Sequence, residues 1–92
     1  MRDDRFEWDD RKAADNYRKH DVSFELARMV FDDTHAVVEI DDDPDEERWH
    51  RIGMANNLML LVVYTQRKRR YRIISSRRAN KHEHDKYFTR RP

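Results

Sequence analysis

Seven cationic side chains crowd the stretch Gln66–Arg78: Arg67, Lys68, Arg69, Arg70, Arg72, Arg77 and Arg78, with Tyr64 just before them and Tyr71 among them. Guanidinium forks match phosphate oxygens, and tyrosine rings stack on unpaired bases. A hairpin of this make-up can hold RNA, although one merely kept soluble and edge-protected by cations has the same composition. The charge distribution favours the first reading. Residues 1–50 carry 8 Lys and Arg against 17 Asp and Glu, or −9, whereas residues 51–92 carry 12 against 2, or +10. The formal net charge of +1 hides this sorting. The basic half can hold a polyanion, and the acidic half can screen it or meet a basic partner. DNA-binding and ribosomal proteins share the signature, so charge alone does not choose the polymer.

Other candidates are fewer. Strict alternation along Arg70–Arg77 places Arg70 and Arg72 opposite Tyr71, Ile73, Ser75 and Arg77. Ser75, Arg77 and Tyr71 then form a polar-aromatic strip, suited to a phosphate cleft or to a plain amphipathic strand end. His20 falls at a helix end, where capping is its ordinary role and proton transfer the alternative. His82 and His84 are two apart, a poor metal pair on a helix, and His35 and His50 gain no partner from the sequence. The acidic loop Asp41–Glu47 lacks the glycine and ligand order of an EF-hand and contains Pro44, so it reads as solvated or as a dock for a basic partner. With no cysteine there is no disulfide, thiolate nucleophile or Cys-based zinc site, and no glycine-rich phosphate loop or nucleophile elbow is present. No metal or cofactor is expected.

The elements that must position these residues are legible in outline. Ninety-two residues make one domain, 1–92, with 89–92 expected as a flexible tail. Hydrophobic residues at 37% against charged residues at 42% give a thin core that a partner would stabilise. Phe6-Glu7-Trp8 reads as extended. Asp9 or Asp10 caps a helix over Arg11–His20, with Ala13, Ala14 and Tyr17 on one face and Asp21 tolerating a left-handed stop. Ser23 caps a second helix whose buried stripe is Leu26, Ala27, Val30 and Phe31. Strands follow at Ala36–Asp41, Glu47–Gly53, Leu58–Gln66 and Arg70–Arg77. Leu58–Gln66, apolar on both alternating faces, should be the central one. Asn56-Asn57 turns the chain because Asn accepts positive φ, whereas Arg67-Lys68-Arg69 has no favoured turn residue and should be mobile. Asn80 caps a last helix to about Phe88. The expected fold is α+β: two N-terminal helices, a four-stranded antiparallel sheet and a short C-terminal helix. The first residues lack the apolar core of a signal peptide, and the longest apolar run, Leu58–Tyr64, is far short of a bilayer span, so a soluble, cytoplasmic protein without membrane contact is expected.

Several stretches taken together resemble one family. They are Phe6-Glu7-Trp8-Asp9 with Lys12, Asn16 and the run Lys19 to Glu25; then Val30-Phe31-Asp32-Asp33; then Glu47-Arg48-Trp49 with Ile52-Gly53. Leu60–Thr65, Arg72–Ser75, Arg77-Arg78-Ala79, Glu83 and Tyr87 complete the pattern over roughly residues 6–87. This resembles the BrnT family of toxins from bacterial type II toxin–antitoxin modules. The resemblance implies a RelE-like fold and a metal-independent endoribonuclease that arrests translation and growth. A BrnA-like antitoxin with a ribbon-helix-helix-type DNA-binding part would neutralise it, in a heterotetramer that binds operator DNA through the antitoxin and represses its own operon.

In the implied reaction a 2′-hydroxyl attacks the adjacent phosphate while the protein supplies positive charge and proton transfer. On that basis Arg77 is the candidate phosphate clamp, with Lys12 and Arg67 as supporting cations. His20 and Tyr87 are the proton-transfer candidates, and Glu83 orients a cation. Trp8, Lys68, Arg69, Arg70, Arg72 and Arg78 are candidates for holding RNA. Trp8 and Tyr87 have packing roles as rivals, the first as a staple on the first helix and the second between the last helix and the sheet. Three departures from the family pattern bear on activity: Gln66 stands where relatives often carry Glu, Asp21 replaces a glycine, and Asn56-Asn57 replaces a glycine-containing turn. Two further readings remain open, a non-catalytic nucleic-acid-binding or co-repressor module and a purely structural protein stabilised by its partner.

Overall fold

The computed structural model describes residues 1–41 and 45–89. The expectations of a solvated acidic loop and a flexible tail fall largely on residues 42–44 and 90–92, outside the described residues. The chain runs β1 (Phe6–Glu7), α1 (Asp10–His20), α2 (Phe24–Ala27), a 3-10 helix (Arg28–Asp32), β2 (Val37–Asp41), β3 (Arg48–Ala55), β4 (Leu58–Arg67), β5 (Arg70–Arg78) and α3 (Lys81–Thr89). The fold is α+β, with strand order β1-β5-β4-β3-β2.

The sheet differs from expectation in having five strands and mixed direction. β1 pairs parallel with β5, Phe6 beside Tyr71 and Glu7 beside Arg72, while all other pairs are antiparallel. The short extended entry at Phe6-Glu7-Trp8 is as expected, but its parallel pairing into the sheet is not. What sets that pairing is burial: Phe6 is 1% exposed, its ring edge-on to Phe31 at 5.0 Å and tilted on Tyr71 at 5.8 Å. β4 is central as expected, and apolar on both faces because each face carries a core. Phe24, Ala27, Val30, Leu60, Val62, Tyr64 and Ile73 pack on one face, and Val37, Ile52, Met59, Leu61 and Tyr87 on the other.

The second helix is shorter than expected. Ser23 Oγ accepts from the Leu26 amide at 3.0 Å, but after Ala27 the helix tightens to 3-10 geometry. Phe24, Ala27 and Val30, all fully buried, recur every third residue, the period of a 3-10 helix. In α1 the inward residues are Ala13 and Asn16, not Ala14 and Tyr17; Tyr17 is 54% exposed. Asp9 caps α1 by accepting from the Arg11 and Lys12 amides, and Asp21 ends it at φ 57°. Gly53 meets a different demand: a Cβ there would lie 3.0 Å from Val30 Cγ1 and 3.2 Å from both Ala36 Cβ and Asp33 Oδ2.

The β3–β4 and β4–β5 hairpins close on two-residue turns, Asn56-Asn57 and Lys68-Arg69, each with its first residue at φ 54°. The expected loop Arg67-Lys68-Arg69 is thus a tight turn closing on Arg67 paired with Arg70. Lysine enters the left-handed region at a cost that Asn largely avoids.

Candidate nucleic-acid interface

The basic hairpin is organised by one irregularity. Ser75 pairs with Val63 and Ile73 with Tyr64, so Ile74 is an extra residue, a β-bulge in β5. The bulge overturns the alternation expected from sequence. Tyr71 and Ile73 face the helix-side core, and beyond the bulge Ser75 and Arg77 join Arg67, Arg70 and Arg72 on the opposite face. Arg78 pairs with Leu60 and shares its face, away from Arg77. The expected polar-aromatic strip is therefore absent, and a one-sided row of cations stands in its place.

α1 lies along β5 beside this row. Lys12, Asn16 and His20 are four residues apart and share one stripe. Asn16 fixes the stripe to β5: its Nδ2 donates to Val22 O at 3.0 Å and Ser76 O at 2.8 Å, and its Oδ1 accepts from the Ser76 amide at 3.0 Å. Two open clefts meet at Lys12 and Ile74. One, of about 340 Å³, is lined by Lys12, Arg48, Thr65, Arg67 and Arg72, with Asp45 and Glu46 also on its wall. The other, of about 240 Å³, is lined by Lys12, Lys19, His20 and Ser75, with Asn16 at its base and Asp15 beside it.

Several guanidinium groups are committed to carboxylates. Arg72 donates to Glu7 at 2.7 Å, and Arg48 lies 3.2 Å from Asp41. Arg77 makes a bidentate pair with Glu83 at 2.9 and 2.8 Å and also donates to Arg78 O. Glu83 is the third residue of a capping box: its amide donates to Asn80 Oδ1 and its carboxylate accepts from the Asn80 amide, both at 2.9 Å. Burial raises the Glu83 pKa, but the Arg77 pair, the Asn80 amide and the nearby His50 outweigh it and hold the group below the usual glutamate value. Glu83 thus orients Arg77 while tying α3 to β5. By contrast, the side chains of Lys12, Lys19, His20, Arg67, Lys68 and Arg69 are exposed and make no hydrogen bond or ion pair to the described residues. Arg70 donates through Nε to Asp3 O at 2.7 Å.

Two sequence candidates sit inside the cores. Trp8 is 4% exposed, its ring edge-on to Phe24 at 5.7 Å, which leaves no face for a base. Tyr87 is also 4% exposed, and its hydroxyl donates to Asp33 Oδ2 at 2.8 Å, so it anchors α3 rather than opening on a cleft. In both, the packing role prevails. Arg48 and Lys19 line the clefts but were not among the sequence candidates; Arg48 lies in the acidic-to-basic transition, where charge sorting gives no signal. Asn16 carried a readable signal, a polar residue midway along the stripe of Lys12 and His20.

Residues 8–83 match the family described as "Ribonuclease toxin, BrnT, of type II toxin-antitoxin system". The chain belongs to the BrnT family. No curated protein matches it individually. The BrnT match begins just after β1 and runs into the first turn of α3, and so includes both clefts and the Arg77–Glu83 pair. A type II BrnT toxin has a protein antitoxin as its partner. No helix among the described residues is long and apolar enough to cross a membrane.

Proposed function

We propose that this chain is an endoribonuclease toxin that cuts RNA in the paired clefts between α1 and β5 and so arrests translation. One observation carries the reading: Lys12, on the stripe that Asn16 clips to β5, faces Arg67 and Arg72 across one open cleft and shares the adjoining cleft with His20. A phosphodiester seated there meets Lys12 and Arg67, whose charges are uncommitted, with Arg72 behind them. The 2′-oxygen attacks phosphorus, the bond from phosphorus to the 5′-oxygen breaks, and a cyclic phosphate and a free 5′-hydroxyl result. Negative charge grows on the non-bridging oxygens as this happens, and fixed cations stabilise it most at that moment. His20 lines the adjoining cleft with Lys12. For a substrate that spans both clefts it is the group suited to exchanging the proton, taking it from the 2′-hydroxyl or delivering it to the 5′-oxygen. Lys68 and Arg69 on the turn hold flanking phosphates. Arg77 acts through the α3 junction, or as a clamp once substrate competes for Glu83. The reaction so written uses protein groups alone.

Family membership alone supports the remaining parts of the proposal: a RelE-like architecture, and a BrnA-like antitoxin whose ribbon-helix-helix-type part binds operator DNA in a heterotetramer. The test of the reaction is an RNA oligonucleotide and its copy carrying a single 2′-deoxy sugar at the cleaved position. Cleavage of the first to a cyclic phosphate, and survival of the second, is the expected result. If both stay intact yet bind with affinity that falls as salt rises, the chain is a nucleic-acid-binding co-repressor module and the nuclease reading is wrong.

A further inference from the structure

The far edge of the sheet has the features of a second interface. β2 pairs only with β3 among the described residues, so its outer backbone groups face solvent. Val38 and Ile40, two apart and on one face, are 42% and 63% exposed, which is high for large apolar residues. Natural edges are blunted by charged side chains, lysine above all, and by proline, bulges or a covering element. Here the charges, Glu39 and Asp41, lie on the face away from Val38 and Ile40. Val37–Asp41 contains neither lysine nor proline, and its register with β3 has no bulge. Beside it, Val38, Trp49, Tyr64 and Tyr71 line a cavity of about 150 Å³ with Arg51 and Gln66. That cavity has the size and lining to seat one large apolar side chain.

We propose that this edge holds the antitoxin: an extended segment of the partner adds to β2 as a sixth strand and seats an apolar side chain in the cavity beside Val38. The proposal rests on membership of a type II family, which supplies a protein partner, and not on the nuclease reading. Charge selects this occupant over a second copy of the chain. The edge carries Glu39 and Asp41 and runs into a segment with six carboxylates in Asp41–Glu47. Lys86 pairs with Glu39, and Arg48 and His50 with Asp41, so the negative surplus is that of the acidic run following Asp41 in the sequence. Symmetric antiparallel pairing of two β2 edges about their centre sets Glu39 opposite Glu39, an unfavourable cross-strand pair. A partner strand alternating apolar and basic residues meets both demands. β2 lies three strand spacings from β5, about 14 Å. Holding the antitoxin and covering the clefts are therefore separable.

Ile40→Lys and Val38→Lys, in the chain co-purified with its cognate antitoxin, test this, with thermal melts as the check on folding. Each is expected to weaken antitoxin binding at least about tenfold, since a cation and an edge-blocking residue enter a buried strip, while RNA cleavage by the free chain is unchanged. In the wild-type complex the amides of Val37–Asp41 are expected to gain protection from hydrogen exchange. Unchanged affinity in both variants, or no added protection at β2, overturns the proposal. So does a dimer of the free chain that Ile40→Lys dissolves without altering antitoxin affinity. An inert chain that still loses its antitoxin on Ile40→Lys sinks the nuclease reading and leaves this one standing.

Discussion

Replacing Asn16 by alanine tests the claim that one buried amide positions the site. Asn16 is 6% exposed and makes three hydrogen bonds at 2.8 to 3.0 Å, two to Ser76 and one to Val22. Truncation removes all three and leaves an amide and two carbonyls of the main chain without that partner. At about 1 kcal/mol per bond the loss is about 3 kcal/mol. That is a large share of the roughly 5–14 kcal/mol expected for a domain of this length. It corresponds to a fall in melting temperature of roughly 12–24 °C. The assay is urea unfolding, read as a lower midpoint at unchanged slope. Asn16→Asp is expected to be at least as harmful at neutral pH. One oxygen keeps the Ser76 amide, but the other faces two carbonyls; protonation restores a donor, so part of the loss should return in acid. A loss under about 1 kcal/mol for Asn16→Ala would refute the clip, and with it the reason for Lys12 and His20 lying against β5.

Three further outcomes follow from the same geometry. Gly53→Ala pushes a methyl into Val30, Ala36 and Asp33 and is expected to cost about 1–3 kcal/mol in urea unfolding, whereas an unchanged midpoint would show that the contact yields freely. Tyr87→Phe removes a hydroxyl that donates to a carboxylate and is expected to cost about 1.5 kcal/mol while leaving RNA cleavage intact; loss of cleavage in a stable variant would return Tyr87 to the chemistry. Asp33 and Glu83 contribute to the acid limb of stability, beside Asp3 and Asp9, which main-chain amides also hold low. Burial raises the Asp33 pKa, but the Met54 and His35 amides and the Tyr87 hydroxyl outweigh it, and Glu83 is likewise held low by Arg77 and Asn80. A carboxylate with a lowered folded-state pKa contributes stability that is whole above its ordinary value and lost as pH falls through the lowered one. Melting temperature should therefore fall on acidification through the carboxylate range, and a curve that stays flat there would contradict both pairings.

Much of the fold was legible because local chemistry and burial agreed. Asp9, Ser23 and Asn80 cap helices as their types and positions indicate, and Asp21 and Asn56 take the left-handed conformations that short polar side chains tolerate. Leu58–Arg67 is central because a strand apolar on both faces needs cover on both. What stayed hidden depends on long-range pairing. β1 is set by the burial of Phe6 on β5, sixty-five residues away in register. The bulge at Ile74 leaves no mark in a run of β-formers, yet it moves Ser75 and Arg77 to the face of Arg72. The burial of Trp8 and Tyr87 was likewise unreadable, because an aromatic beside charged residues suits a core and a binding face equally. The cationic hairpin could be seen at once; which of its charges were already spent on Glu7 and Glu83 could not.

The most direct measurement compares RNA cleavage, in excess chelator, by the wild-type chain and by Lys12→Ala and Arg67→Ala. Both side chains are exposed and unpaired among the described residues, so stability should stay within about 0.5 kcal/mol of wild type. Loss of a cation that stabilises the transition state is expected to slow cleavage by about 100-fold or more. Wild-type cleavage rates in both folded variants would contradict the placement of the reaction in the α1–β5 clefts.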